Sequence, residues 1–132
     1  MRLVADSHAI VWYVQGSSRL ADGAAAALAE AEATDGITVS VATLVDLWYV
    51  TQTTQGVTPT ALSRLRSALV TSPKVDLHPI DLAVTDAATS IPRDVLGDPW
   101  DRFIVATAQA LSLPLVTRDG RIRAAALVET VW

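Results

Sequence analysis

Two aspartates, Asp98 and Asp101, lie three residues apart at the start of an apolar helical pattern in GDPWDRFIVATAQ. Asp6 and Asp119 follow the short apolar stretches LVA and PLVT, and Asp46 lies inside another apolar pattern. Carboxylates that gather in one place repel each other unless a cation neutralises them, and Mg²⁺ prefers oxygen ligands. These residue types therefore indicate metal-assisted hydrolysis of a phosphodiester, provided that the fold brings them together.

Some of the same acids also have a purely structural interpretation. Asp98 before a proline, with Asp101 three residues later, is a favourable helix start, in which Asp98 is the N-cap. Asp119 before a glycine suits a turn. Asp6 and Asp46 are harder to explain in this way, because Asp6 ends an apolar stretch and Asp46 has apolar neighbours on both sides. From the residues alone, the helix-cap and active-site interpretations of Asp98 and Asp101 both stay open.

Composition limits the class of protein. The chain has 132 residues, 51% of them hydrophobic, and no cysteine, which excludes disulfides, thiolate metal sites and a cysteine nucleophile. We expect one folded domain over residues 1–132. Without an apolar run long enough to cross a membrane or a signal-peptide pattern, we expect a cytoplasmic protein with no membrane partner. The net charge of −4 gives no overall attraction for nucleic acid, so any such binding must depend on local patches or a metal.

Short apolar stretches alternate with helical patterns along the chain, and no hairpin signal separates them. This order predicts an α/β fold with a mainly parallel central sheet. The predicted strands are Arg2–Asp6, Ile37–Ser40, Val75–Ile80, Leu113–Thr117 and a last one in LVETVW. The predicted helices are Ser7–Val14, Ser18–Ala33, Val41–Thr54, one starting at Thr58–Pro59, one capped by Asp81, Pro99–Leu111, and a short one in the region of RDGRI.

The predicted topology brings the acids towards one edge of the sheet. Ligands of open parallel sheets bind outside the carboxyl ends of the strands, where Asp6 and Asp119 would lie. A loop over Ile91–Gly97 precedes the helix that carries Asp98 and Asp101, so the start of that helix can lie at the same edge. We therefore expect four or five acids in one crevice.

Four stretches in order along nearly the whole chain resemble the PIN-domain ribonucleases, specifically the VapC-type toxins. LVADSHAIVW resembles the first strand of that family and its acid, Asp6. SVATLVDLW resembles the segment of the second acid, Asp46. GDPWDRFIVATAQ resembles the block of the third, Asp101, with Asp98 beside it, and LPLVTRDGRI resembles that of the fourth, Asp119.

The resemblance implies a PIN-like three-layer α/β/α sandwich and endonucleolytic cleavage of RNA with Mg²⁺, or Mn²⁺ in its place. It also implies a homodimer, inhibited by a cognate VapB-type antitoxin in a type II toxin–antitoxin system. The implied catalytic residues are Asp6, Asp46, Asp101 and Asp119, and the implied metal-binding residues are Asp6, Asp101, Asp119 and Asp98. The chain departs from the family at Asp46, where the family usually has Glu; the side chain is shorter by one methylene, which reduces its reach to a metal.

Three further residues are expected to support the acids. Ser7 and Thr117 flank Asp6 and Asp119, and a hydroxyl at either position can hold a metal-bound water. Arg102 is expected to pair with a carboxylate rather than to contact phosphate.

Arginines around Asp119 are either a basic rim for RNA or solvated surface; they are Arg118, Arg121 and Arg123. The helical spacing of Trp12, Tyr13, Trp48 and Tyr49 favours core or a dimer interface over base stacking.

Three other functions compete with the ribonuclease hypothesis. Another α/β phosphohydrolase, such as a haloacid-dehalogenase-like phosphatase, needs a second Asp two residues after the first, where this chain has His8. A response-regulator receiver needs a lysine after the last strand, and Lys74 is in the wrong place. The other alternative is a catalytically weak PIN-like binding or scaffold protein, which the Asp46 departure supports.

Overall fold

A five-stranded parallel sheet forms the centre of the molecule, in the strand order β3-β2-β1-β4-β5. The computed structural model describes residues 1–53 and 56–132. Every strand is joined to the next through at least one helix, as parallel pairing requires. The strands are β1 Leu3–Ala5, β2 Ile37–Ser40, β3 Val75–His78, β4 Leu115–Val116 and β5 Thr130–Val131.

Helices in the described residues follow the predicted order. They are α1 Ser7–Gln15, α2 Asp22–Ala33, α3 Ala42–Thr51, α4 Pro59–Thr71, α5 Leu82–Ser90, α6 Pro99–Leu111 and α7 Gly120–Ala125. The predicted caps Thr58 and Asp81 accept hydrogen bonds from the backbone N–H groups of Ala61 and Val84. Thr54, the predicted end of α3, lies outside the described residues. No described helix has the length and apolar character needed to span a membrane.

Helix α2 begins four residues later than the sequence pattern predicts. Ser17 forms a local turn instead: its hydroxyl accepts from the backbone N–H of Arg19 and its carbonyl accepts from Leu20. Leu20 is buried by this turn. A serine that bonds its own neighbourhood competes with the helix ladder, which explains the late start.

The alternating side chains of the strands build a separate core on each face of the sheet. Leu3 and Ala5 pack on one face with residues of α1, α2, α3 and α4. Val4 points the other way and packs with α6 and α7. Helix α5 covers α6 through Val84 and Ala88. The result is a three-layer α/β/α sandwich, so the predicted fold class is confirmed, and the sheet is parallel throughout its described pairs.

Gly36 makes the tight turn between α2 and β2. Its φ is +101°, and a Cβ atom there would lie 2.9 Å from the carbonyl oxygen of Lys74, which pairs with Ile37 N. Backbone cannot give way as a flexible side chain does, so both conformation and space require glycine at this position.

We expect Gly36→Ala to lower the free energy of unfolding by about 2 kcal/mol, because it adds left-handed strain and a clash with backbone. Gly120→Ala is the matched control, since nothing lies within 4 Å of a Cβ at Gly120. The control should change stability by less than about 0.5 kcal/mol. Denaturant unfolding measures both, and equal stabilities of the two variants would contradict this account.

Candidate active site

Five aspartates line one cavity of about 320 Å³ at the carboxyl edge of the sheet. The cavity lies where the strand order reverses between β1 and β4, the point at which open α/β sheets bind their ligands. The expectation that the acids gather in one crevice is met. The lining residues are Asp6, Ser7, His8, Asp46, Asp98, Asp101, Arg118 and Asp119.

Asp6 ends β1 and caps α1 at the same time. Its backbone N–H donates to Val116 at 3.1 Å, continuing the pairing with β4, and its Oδ1 accepts from the N–H of Ala9 at 2.9 Å. The Asp6 side chain is also hydrogen-bonded to Thr117. The carboxylate is thereby fixed at the cavity by the strand, the helix start and a hydroxyl.

Asp119 occupies the equivalent position after β4. Its Oδ1 accepts from the N–H groups of Arg121 at 2.8 Å and Ile122 at 3.2 Å, which starts α7. Its own N–H donates to the Thr117 hydroxyl oxygen at 3.1 Å. Thr117 is completely buried and contacts both Asp6 and Asp119, so it holds the two acids in a fixed relation.

Asp98 and Asp101 combine a helix start with a position in the acidic cavity. Asp98 Oδ1 accepts from the N–H groups of Trp100 at 2.9 Å and Asp101 at 3.0 Å, so Asp98 is the N-cap of α6. Asp101 lies in the first turn and lines the cavity together with Asp98. The loop before α6 does bring the start of this helix to the carboxyl edge.

Asp46 reaches the cavity from α3. Its Oδ2 accepts a hydrogen bond from the Ser7 hydroxyl at 2.6 Å, across 39 residues of sequence. The hydroxyl of Ser7 therefore ties the second acid to the helix that Asp6 begins. Ser7 itself is buried and Asp46 is partly exposed, so the bond lies at the edge of the protein interior.

Burial and neighbouring charge raise the pKa of two of the acids, Asp101 and Asp6. Burial, and then the neighbouring charges of Asp98, Asp119, Asp46 and Asp6, raise the pKa of Asp101 to about 7. Burial also raises the pKa of Asp6, against the opposing effect of its hydrogen bonds to Thr117 and Ala9. A site that resists ionisation in this way favours binding of a cation, which would replace the proton.

The donor set fits a hard divalent cation. The carboxylates that line the cavity offer oxygen ligands only. Within residues 1–53 and 56–132, no three His, Asp or Glu side chains are arranged to hold a metal ion directly. Mg²⁺ binds through one or two carboxylates and keeps several waters, so the spacing suits a hydrated ion.

The expectation that Arg102 pairs with a carboxylate is wrong. Its guanidinium donates to main-chain carbonyls before α6 instead: those of Ala88 at 2.7 Å and of Ile91, Pro92 and Leu96. Helical side chains lean towards the N-terminus, so an arginine in the first turn reaches back over the preceding loop. Arg102 thus fixes the loop that leads to Asp98.

Two further residues line the cavity: His8, to which the sequence did not assign a site role, and Arg118, one of the arginines that the sequence left as either a basic rim or solvated surface. His8 and Arg118 both contact the acidic cavity, and they also line a second cavity beside it. His8 follows Asp6 by two residues, and Arg118 directly precedes Asp119. This closeness to the acids is the feature of the sequence that indicates a place beside the cavity.

Comparisons with known proteins agree with this geometry. The model of the PIN domain family matches residues 3–127. No curated protein matches the chain. One similar solved structure is that of VapBC2 from Rickettsia felis bound to a DNA fragment from its promoter. The matched chain is 15% identical, with a TM-score of 0.70, and the match covers 98% of this chain and 97% of that one.

Two further solved structures have the same fold. A chain of a toxin–antitoxin complex from Klebsiella pneumoniae is 20% identical, with a TM-score of 0.65 and coverage of 96% of this chain and 94% of that chain. A chain of VapBC-5 from Mycobacterium tuberculosis, of the VapBC family of toxin–antitoxin systems, is 22% identical, with a TM-score of 0.57 and coverage of 98% and 96%.

This chain belongs to the PIN domain family. Members of the family are generally nucleases that use divalent metal ions. The acidic cavity lies in the part of the chain that the family model matches.

The raised pKa of Asp101 predicts how stability depends on pH. The folded protein holds the proton more tightly than the unfolded chain, so the stability gained from protonated Asp101 is full below pH 3.8 and is lost as the pH rises through about 7. Asp101→Asn should therefore raise the Tm of the metal-free protein at pH 8 by about 3 °C, allowing for solvent screening.

The control is Asp86→Asn, an exposed change on α5 outside the cavity. It should leave the difference in Tm between pH 5 and pH 8 as it is in the parent. Thermal unfolding in EDTA measures all three proteins. A parent and an Asp101→Asn variant with the same Tm at pH 8 would contradict repulsion at this site.

Proposed function

We propose that this protein is a metal-dependent endoribonuclease that acts as the toxin of a VapBC-type toxin–antitoxin system. Residues 1–132 would act as one catalytic domain. The observation that carries the proposal is the convergence of five aspartates on one cavity at the switch point of the sheet. The resemblance of four sequence blocks to VapC-type toxins, and the VapBC complexes among the structural relatives, support the toxin assignment.

Asp6, Asp101 and Asp119 would hold the metal, Mg²⁺ or Mn²⁺, in part through metal-bound waters, because no three such side chains of the described residues are arranged to ligate one ion directly. Two of these acids are fixed by strand ends and the third by the first turn of α6. Asp98 is a further candidate, since one of its oxygens caps the helix while the residue lines the cavity. When bound, the cation would neutralise the acids, activate water and stabilise the leaving oxygen of the phosphodiester.

The remaining residues of the cavity would orient the acids. The hydroxyl of Thr117 is hydrogen-bonded to the Asp6 side chain and accepts from the backbone N–H of Asp119, so it links these two residues. In the metal-free protein the pKa of Asp101 is about 7, so binding of the cation near neutral pH would displace the proton from this carboxyl group. Hydrolysis adds water across one P–O bond and leaves a phosphomonoester and a free hydroxyl.

Asp46 would complete the catalytic set from α3. The hydrogen bond from Ser7 occupies its Oδ2 and directs the side chain towards the cavity. The side chain is one methylene shorter than the glutamate usual in the family, so contact through a metal-bound water suits it better than direct ligation. Asp46 then acts as an orienting carboxylate rather than a primary ligand.

A VapB-type antitoxin is the proposed protein partner. Between α1 and α4 lies a largely apolar groove of about 460 Å³, whose walls include Val11, Val14, Ala61 and Leu65. Val14 is 47% exposed, which leaves apolar surface for an amphipathic helix of the antitoxin to cover. Recovery of growth when the cognate antitoxin is co-expressed would support this partner.

An exposed aromatic cluster on α3 and α6 is the proposed homodimer interface. It consists of Trp48, Tyr49, Trp100 and Phe103, with successive ring centroids 4.9, 5.7 and 6.4 Å apart. Trp48 and Tyr49 are about half exposed, at 49% and 51%. Large aromatic rings of this kind are enriched at protein interfaces.

Replacing the proposed metal ligands should abolish cleavage without unfolding the protein. Asp6→Asn and Asp101→Asn delete charge while they keep shape, so we expect Mg²⁺-dependent RNA cleavage to fall at least about 100-fold. Asp98→Asn should be milder, because asparagine caps a helix about as well as aspartate. A gel assay of purified variants on total RNA, with Tm measured in parallel, tests this.

Two outcomes would contradict the proposal. One is a parent protein that cleaves no RNA with either Mg²⁺ or Mn²⁺, which would favour a binding or scaffold role. The other is a folded Asp6→Asn variant that cleaves at the parental rate.

The homodimer proposal has its own test. Trp48→Asp puts a charge into the aromatic cluster and should convert the protein to a monomer in sedimentation velocity. Val70→Asp is the control, since Val70 on α4 is also apolar and 56% exposed but lies outside the cluster. A parent that is already monomeric, or a dimer that both variants retain, would rule out this interface.

A further inference from the structure

A second cavity, of about 400 Å³, adjoins the acidic one, and its lining charges are of opposite sign. Arg19 and Arg118 line it together with His8, and no acidic residue does. His8 and Arg118 line both cavities, so the two lie side by side. We refer to this second depression as the basic cavity.

Arg118 is held in place by an aromatic side chain. Its guanidinium carbon lies 4.7 Å from the ring centroid of Trp12, and Trp12 in turn packs against His8 at 5.4 Å and Trp132 at 6.0 Å. Trp12 is only 6% exposed, so it is a fixed platform. A guanidinium stacked on one face keeps its N–H groups free for a planar or tetrahedral anion.

The arginines of the basic cavity form no ion pair with an acidic residue of the described chain. The ion pairs found in residues 1–53 and 56–132 involve the N-terminus, Arg2 and His78, and neither Arg19 nor Arg118. The chain as a whole carries a charge of −4. Two unpaired guanidinium groups next to an acidic site are therefore a local feature that attracts an anion from outside.

Part of the wall of the basic cavity is apolar. Leu47 and Val50 of α3 contribute to it, with Val11 from α1. The volume lies within the range of 300–1,000 Å³ that is usual for small-ligand pockets. One cavity thus offers cations for a phosphate and an apolar surface for a flat base.

We propose that the basic cavity binds the nucleotide that flanks the scissile phosphodiester. Arg19 and Arg118 contact its phosphate, and the apolar wall takes its base. This inference rests on the proposed ribonuclease function and adds the subsite that positions the strand. It also explains how an acidic protein attracts RNA: the acids act on one phosphate while the neighbouring phosphate is held by the arginines.

The test measures binding of a fluorescein-labelled single-stranded RNA octamer by anisotropy. An Asp101→Asn background prevents cleavage and removes one repelling charge. Arg19→Gln and Arg118→Gln should each weaken binding about fivefold to tenfold and lower the slope of log Kd against log salt by about 0.7. Arg66→Gln, an exposed change on α4 outside both cavities, is the control and should stay within twofold of the background.

A cleavage measurement locates the effect beside the scissile bond. With Asp101 intact, Arg19→Gln should raise the KM for the octamer and change kcat by less than about twofold. Substrates shortened one nucleotide at a time from either end should lose this penalty once the flanking nucleotide is removed. A penalty that is independent of length would overturn the subsite and leave only a general electrostatic effect.

The outcomes separate this inference from the proposed function. Parental Kd and salt slope in both arginine variants overturn the subsite, as does a parent that does not bind RNA. Weaker binding of the antitoxin alone, with RNA binding unchanged, would also overturn it and would assign the basic cavity to the protein partner. A parent that binds RNA through the arginines but cleaves none keeps the basic cavity as an RNA-binding site and rejects the nuclease, and with it the position beside a scissile bond.

Discussion

Like charges are held together in this molecule by the starts of three helices. Asp6, Asp98 and Asp119 are the N-caps of α1, α6 and α7, and each accepts backbone N–H groups at its own helix. The positive ends of the helix dipoles therefore lie at the acidic cavity, where they partly offset the repulsion among the carboxylates. The offset is incomplete, since burial and then the neighbouring carboxylates still raise the pKa of Asp101 to about 7. The remaining charge is what makes the cavity suitable for a cation.

The surroundings of the acids are organised to keep those helix starts in place. Thr117 joins Asp6 to Asp119 between neighbouring strands, and Ser7 joins α1 to Asp46 on α3. Arg102 binds the carbonyls of the loop before α6, which lacks a regular hydrogen-bonding pattern of its own. The sequence favoured an ion pair between Arg102 and a carboxylate, but its contacts with main-chain carbonyls make it a positioning residue. Buried polar groups that satisfy each other in this way fix a single arrangement.

Charge is divided along the surface rather than spread over it. Acids line one cavity and unpaired arginines the next, while the aromatic cluster and the apolar groove between α1 and α4 lie on neighbouring helices. The groove shares Val11 and Gln15 with the basic cavity. A protein partner bound in the groove would therefore lie next to the arginines, and it would compete with an RNA substrate for the basic cavity.

The sequence by itself determined the α/β class and the order of the elements. It also determined that strand ends and helix starts bring four acids to one edge of the sheet: Asp6, Asp98, Asp101 and Asp119. These features follow from local rules: apolar periodicity, a cap residue followed by proline or glycine, and the edge at which parallel strands end. Asp98 and Asp101 show the strength of such rules, because the capping geometry was predictable from four residues.

Only the tertiary structure decided which distant groups meet. The hydrogen bond of Ser7 to Asp46 spans 39 residues, and the stacking of Arg118 on Trp12 joins the two ends of the chain. Neither contact can be predicted from the spacing of residues in the sequence, because each depends on how the helices pack against the sheet. The late start of α2 and the carbonyl partners of Arg102 have a similar cause: hydrogen bonds to particular backbone atoms outweighed helix propensity and charge, and those partners exist only once the chain has folded.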